Sequence, residues 1–278
     1  MLPILPDIAP LLSQKYNIDV SMYDPAFLSK TIFARINASG SSSEQAYKKL
    51  ISENNEEGES LISCLSNSYS EFFRDPLLFS YLSSVVLPIL INRLQGKSFR
   101  ELRIWIPGCA AGQEPFSIAM ILLDLTAQSP CSFRIFATDR LSSEVAKAKK
   151  GIFDTDLVGN IPQKYLRRFF SRHQTSYQTL PELQSAVDFS DHDLLSETQI
   201  SPSESIFGGF DLILCCNILF YYRPSVRKGI IDNLVKALAH GGYLATDAPS
   251  ANLLAHDRRF EPVLSEAGLF RKKTQGTP

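Results

Sequence analysis

The stretch Leu102-Arg-Ile-Trp-Ile-Pro-Gly-Cys-Ala-Ala-Gly-Gln-Glu-Pro-Phe-Ser117 decides the fold. Leu102 to Ile106 is a short apolar strand and Gly108 to Gly112 a tight loop. Pro115 stands where the first turn of a helix tolerates it, ahead of the apolar run Phe116 to Leu125. Strand, glycine loop and helix in this order put the loop at the carboxyl edge of a parallel sheet, where open α/β folds bind ligands. Two glycines let backbone approach a ligand closely. Their spacing is neither G-x-G-x-x-G nor a P-loop, and no lysine is placed for phosphate. A nucleoside cofactor that carries no phosphate fits, with a purely structural turn as the alternative reading.

Strands and helices continue to alternate downstream, which predicts a parallel sheet covered on both faces. Phe133 to Thr138 is the next strand, ending at Asp139. A helix over Glu144 to Lys150 is capped by Ser142 or Ser143 and stopped by Gly151. The region from Ile161 to Asp193 is less regular, with a basic helix around Tyr165 to Phe170 and short strands near Ser176 to Leu180 and Ala186 to Phe189. It reads as an inserted subdomain. Phe210 to Cys215 is a buried strand, Pro224 opens a helix that Gly241-Gly242 ends, and Tyr243 to Thr246 is a strand. Asp139, Asp193 and Asn217 all follow strands, so three polar groups converge on one edge. Asp139 there can accept the ribose hydroxyls of an adenine nucleoside, or it is a surface aspartate starting a turn.

Upstream, residues 1 to 70 carry no strand pattern and read as short helices broken at Asp24-Pro25, Ser39 to Ser43 and Asn54 to Gly58. Five basic and eight acidic residues give this segment a charge of about −3. A longer helical stretch runs from about Ser70 through Phe72-Phe73 to Leu94, kinked near Pro88. The expected domains are a helical one over 1–70, a linker helix over 71–96, and an α/β domain over 97–278 with an inserted subdomain at about 161–192.

The whole chain, 278 residues with a net charge of −1, has an apolar and charged content typical of globular proteins. Disordered, collagen-like and coiled-coil readings are excluded, and the total charge does not point to nucleic acid or a membrane surface. The apolar start has three prolines and no basic residue before Lys15, so it does not read as a signal peptide. Val85 to Ile91, broken by Pro88, is far short of the ~20 residues that span a bilayer. Five cysteines without Cys-x-x-Cys spacing suggest neither a disulfide framework nor a zinc site, which fits a reducing cytoplasm.

Four segments in order carry a resemblance to the bacterial chemotaxis methyltransferases (CheR-like), which use S-adenosyl-L-methionine to esterify receptor glutamates. They are Glu71-Phe-Phe-Arg-Asp-Pro76, the stretch Ile104 to Ser117, Ala137-Thr-Asp139 with its helix and Gly151-Ile-Phe153, and Phe210-Asp-Leu-Ile-Leu-Cys-Cys-Asn-Ile-Leu-Phe-Tyr-Tyr222. The resemblance implies a doubly wound, Rossmann-like methyltransferase domain after a small helical domain. Gly108 and Gly112 would form the cofactor loop, Glu114 and Asp139 would hold the cofactor's polar groups, and Asp193, Leu194 and Asn217 would line its adenosine side. Ser68, Ser70 and Arg74 match positions that reach cofactor and substrate, and Tyr221 matches the family's active-site tyrosine. On spacing alone, Arg74 reads as an exposed helix charge paired with Asp75 or Glu71, and Tyr221 as a core aromatic.

A glutamate carboxylate, with pKa ~4.3, is already ionised at neutral pH, so attack on a sulfonium methyl needs no general base. Arg74 and Tyr221 are the candidates for orienting it. The chain departs from the family pattern at Cys216, where arginine is usual, at Ser68 and Ser70 for Asn and Thr, and at Asp247-Ala-Pro-Ser250 for Gly-His-Ser-Glu. The expected function is transfer of methyl from S-adenosyl-L-methionine, leaving S-adenosyl-L-homocysteine, to glutamates of a chemoreceptor or related signalling protein. The enzyme is expected to be a cytoplasmic monomer that neither inserts in membranes nor binds nucleic acid. The alternatives are a cofactor-binding sensor or scaffold without turnover, and a methyltransferase for a small-molecule carboxylate. Between Arg140 and Arg172, eight basic and three acidic residues give about +5, a stretch suited to attracting an acidic receptor helix.

Overall fold

The computed structural model describes residues 5–16, 18–66, 69–94, 100–127, 131–196, 198–205 and 209–274. Within the chain, residues up to 68 gather with 219–228 into one compact unit, and 69–218 with 229–278 form a second. The first unit thus takes in a later segment that the sequence reading assigned to the α/β part.

The first unit holds α1 (Leu5–Tyr16), α2 (Pro25–Ala38), α3 (Glu44–Glu53) and α4 (Asn55–Ser66). Asp24 caps α2 by accepting the Ala26 and Phe27 N–H groups, with Pro25 in the first turn, where its missing donor costs nothing. Ser43 caps α3 in the same way. Apolar residues spaced three and four apart, including Ile8, Leu12, Leu28, Ile32, Tyr47, Ile51 and Leu61, close the core. A polar knot crosses it. Glu57 on α4 accepts both forks of the Arg35 guanidinium from α2, at 3.0 and 2.5 Å, and the Tyr47 hydroxyl from α3 at 2.8 Å. The returning segment packs here through Tyr222, stacked on Tyr23 at 5.6 Å, and Arg227, paired with Asp24 at 3.1 Å.

The second unit begins with α5 (Pro76–Tyr81), a π-helical turn (Leu82–Val86) and α6 (Leu87–Leu94), and continues with β1 (Leu102–Pro107), α7 (Gln113–Thr126), β2 (Phe133–Asp139), α8 (Ser142–Lys150) and β3 (Ile152–Asp154). There follow α9 (Gln163–Phe169), β4 (Phe170–His173), β5 (Ser176–Thr179), α10 (Pro181–Gln184), β6 (Val187–Asp191) and β7 (Phe210–Cys215). The last elements are α11 (Pro224–Ala237), which this unit takes in from Gly229 on, β8 (Leu238–Thr246), α12 (Ala248–Ala255), β9 (Phe260–Leu264) and β10 (Leu269–Lys272). Seven strands form one sheet in the order β6-β2-β1-β7-β8-β10-β9. The first five are parallel; β10 and β9 are antiparallel additions. From β1 the chain winds outward to β2 and β6, then returns to β7 and winds the other way. This makes the β1/β7 boundary the switch point of a doubly wound sheet. Helix α7 is buried over Gln113–Leu122, which explains its nearly unbroken apolar sequence.

Several expectations are corrected. The stretch from Ser70 to Leu94 is not one helix: Phe73 sits at φ +50°, and Asp75 caps a helix that starts only at Pro76. The break near Pro88 is the π turn just before it. The proline ring would clash with the carbonyl of Ser84, and widening the preceding turn relieves this. The helical run Pro76–Leu94 is long and apolar enough by composition to cross a membrane, but Leu78, Phe79, Leu82, Val86, Leu87, Leu90 and Ile91 are buried in the core of this unit. The inserted sheet is β3-β5-β4, over 152–179, and the strand expected at Ala186 to Phe189 belongs instead to the main sheet as β6. No serine caps α8; its N-cap is Leu141. Helix α11 stops at Ala237, and Gly241-Gly242 lie inside β8, where a Cβ on Gly242 would stand 2.9 Å from the Phe210 carbonyl.

Candidate functional site

The loop between β1 and α7 owes its shape to two glycines. Gly108 has φ +63°, and a Cβ there would meet the Ile218 side chain at 2.4 Å; Gly112 has φ +95° and ends the loop as the N-cap of α7. Asp139, at the end of β2, secures the loop from the neighbouring strand. One carboxylate oxygen accepts the Ala110 N–H at 2.9 Å and the other the Leu141 N–H at 2.9 Å. Burial raises its pKa, and these two amide bonds pull against that shift. Asp139 therefore holds the backbone around the loop, while each oxygen keeps a second lone pair for a ligand.

Beside the loop lies a cavity of about 290 Å³. It draws Arg74 and Asp75 from the segment before α5, Pro76 from the start of α5, Glu114 from the first turn of α7, Cys216 and Asn217 from just after β7, Thr246 and Asp247 from the end of β8 and the residue after it, and Pro249 from the first turn of α12. Arg74 is held by local structure: its guanidinium donates to the Tyr69 carbonyl at 3.3 Å and lies over the Tyr69 ring, while the Tyr69 hydroxyl bonds Glu71. Asp75 is occupied as the α5 cap. The expected pairing of Arg74 with Asp75 or Glu71 on a helix surface is therefore replaced by a non-helical arginine on a cavity wall. The preceding turn is fixed by Ser117, whose hydroxyl accepts the Phe73 N–H and donates to the Gln113 carbonyl.

Glu114 is the unusual carboxylate. Burial pushes its pKa up to about 7, the charge of Asp247 adds to the rise, and Arg74 opposes it. Asp247 is buried and accepts the Asn217 N–H at 2.8 Å and the Ser250 N–H at 2.9 Å. Cys216 keeps its proton, since burial raises the thiol pKa well above its ordinary value. The Thr246 hydroxyl, on the cavity wall, is buried without a hydrogen-bond partner among the described residues. A zwitterionic amino-acid group fits these walls: Arg74 suits a carboxylate, and Glu114 suits an ammonium.

Of the residues singled out by sequence, Arg74, Glu114 and Asn217 line this cavity, with Gly108, Gly112 and Asp139 in the adjoining loop and strand end. Asp193 and Leu194 lie after β6, two strands from β1, where Asp193 accepts the Leu195 N–H and is exposed. The two strand ends are linked by the His192 N–H, which donates to the Asp139 carbonyl. Ser70 is half-buried outside the cavity, and Ser68 lies outside the described residues. Tyr221 belongs to the other unit, where its ring packs on Phe27 at 4.7 Å and Phe220 at 4.2 Å and its carbonyl accepts the Asp24 N–H. Sequence reasoning treated Asp247 only as a departure and passed over Ser117. An Asp followed two residues later by Pro is a helix-start signal that would have found the first.

The model of the CheR methyltransferase SAM-binding domain matches residues 68–266. Over 259 residues the chain is 27% identical to the chemotaxis protein methyltransferase of Escherichia coli (strain K12), covering 91% of this chain and 85% of that protein. It is 31% identical over 199 residues to chemotaxis protein methyltransferase 1 of Pseudomonas aeruginosa, covering 69% of each. It is 28% identical over 253 residues to an uncharacterized 104.1 kDa protein of Rhodobacter capsulatus, of which it spans only 26%.

Proposed function

The chain belongs to the CheR methyltransferase family, and from that premise we propose that it transfers a methyl group from S-adenosyl-L-methionine to glutamate side chains of a chemoreceptor or related signalling protein. The observation that carries this reading is the cavity that brings Arg74, Glu114 and Asn217 together, with Glu114 in the first turn of the helix that the Gly108–Gly112 loop opens. When bound, the cofactor supplies a methyl group made electrophilic by a sulfonium. The residues assigned to hold it are Ser68, Ser70, Arg74, Gly108, Gly112, Glu114, Asp139, Asp193, Leu194 and Asn217. The chain's work is then positioning. A glutamate carboxylate is ionised at neutral pH, and aligning it with the methyl group can lower the barrier by ~7–11 kcal/mol. Arg74 and Tyr221 are assigned to that alignment. Arg74, held to the Tyr69 carbonyl and ring, suits this role because an arginine free to clasp the carboxylate would stabilise the ground state and slow transfer.

A second reading, a cofactor-binding sensor without turnover, is favoured by Cys216: an uncharged, protonated thiol occupies a wall where the family pattern has arginine. Kinetics with labelled S-adenosyl-L-methionine and receptor cytoplasmic domains separate the two. The enzyme reading expects Tyr221→Phe to slow transfer about tenfold or more while S-adenosyl-L-homocysteine affinity stays within a few fold, and Arg74→Ala, which also removes a cofactor contact, to slow transfer as much and to weaken binding. Tight cofactor binding with no transfer by the wild type supports the sensor.

A further inference from the structure

Asn217 is the first residue past the Cys216 wall and has φ +59°, a left-handed conformation that costs energy for any residue with a side chain, least for Asn and Asp. Something must hold it there. Its N–H donates to one oxygen of the buried Asp247 carboxylate at 2.8 Å, while the other oxygen accepts the Ser250 N–H at 2.9 Å as the N-cap of α12. One side chain thereby bridges the end of β7 to the start of the helix that follows β8, and both bridged strand ends line the same cavity.

We propose that Asp247 is a positioning residue for the cofactor site, acting through Asn217: one carboxylate oxygen, fixed while the other caps α12, locks the Asn217 backbone into the left-handed conformation that sets its side chain for the ligand. The proposal rests on the reading that this cavity holds the cofactor. A carboxylate is suited to the task because it offers an acceptor on each side. Serine can cap a helix equally well but has one oxygen on a shorter arm, so Asp247→Ser keeps the cap and removes the hold on Asn217.

Calorimetric titration with S-adenosyl-L-homocysteine, paired with thermal melts, tests this on the wild type, Asp247→Ser, Asn217→Gly and the double variant. Glycine at 217 adopts the left-handed backbone freely and lacks only the side chain. Asp247→Ser is expected to weaken binding about tenfold with the melting temperature nearly unchanged. Asn217→Gly is expected to weaken it similarly, and the double variant to bind no worse than Asn217→Gly, because no side chain remains to be positioned. Asp247→Asn, which keeps the shape and the cap, gives the same ordering should the serine variant not fold. Wild-type affinity in Asp247→Ser beside a weakened Asn217→Gly overturns the proposal, and so do additive losses. Unchanged binding in Asn217→Gly, or no binding by the wild type, instead removes the cofactor reading, and the proposal with it.

Discussion

In the apoprotein Glu114 holds its proton up to about neutral pH because its surroundings disfavour the charge. With its pKa raised by burial to about 7 from an ordinary 4.5, the folded chain keeps a proton that the unfolded chain releases between those values. Stability must therefore fall as pH rises through that window and level off above it. The total loss is up to about 3 kcal/mol, because each tenfold difference in proton affinity between the folded and unfolded chain is worth ~1.4 kcal/mol. Glu114→Gln removes the dependence. In apoprotein thermal melts it should raise the melting temperature at pH 8 and leave it unchanged at pH 4; an equal shift at both would show that the carboxyl is not held protonated. At this scale the sequence was informative where a motif fixed spacing. Arg74, Glu114 and Asn217 were found and do share one cavity. The helix-start pattern marks Asp247 as a cap, but its bond to the Asn217 N–H, 30 residues away, leaves no side-chain pattern in the sequence.

Elements were legible where burial left a periodic trace. The parallel strands β1, β2 and β7 are short apolar runs because they are covered on both faces, and each was located within a residue or so. The strands β3, β4, β9 and β10 were missed; they are three to five residues long, partly exposed and antiparallel, too short to show alternation. The helical unit depends on a contact that sequence could not assign, the knot of Glu57 with Arg35 and Tyr47. Burial raises the Glu57 pKa, but the bonds from Arg35 and Tyr47 outweigh it and leave the carboxyl below its ordinary range. A depressed carboxylate pKa contributes stability that is complete above the ordinary value and is lost as pH falls from there through the lowered one. Glu57→Gln should thus cost about 1–3 kcal/mol near neutral pH, discounted for the partial exposure of the pair, and much less near pH 3. Urea unfolding at the two pH values checks this, and a loss that persists undiminished in acid would contradict it.

Across the whole molecule, the charge pattern read from sequence needs revision. Of the basic residues between Arg140 and Arg172, Lys164 and Arg168 pair with Asp124, and Arg168 also with Glu182, two carboxylates outside that stretch. These pairs spend part of the positive charge within the fold, so the stretch is a weaker attractor for an acidic partner than its count of +5 suggests. Local spacing did not disclose the pairing because Asp124 lies 40 residues before Lys164. The parallel sheet covered on both faces and the loop at its carboxyl edge were legible from alternating strands and helices, whereas the doubly wound character was implied by the family resemblance and is seen in the strand order. The proposed methyl esterification of protein glutamate is read most directly by mass-spectrometric mapping of a receptor cytoplasmic domain incubated with this protein and S-adenosyl-L-methionine. The expected result is a methyl added to glutamate side chains, released as methanol by mild base, and accumulating at least about tenfold more slowly with Arg74→Ala. An unmodified receptor, or a methyl group found on another residue type and stable to base, would contradict it.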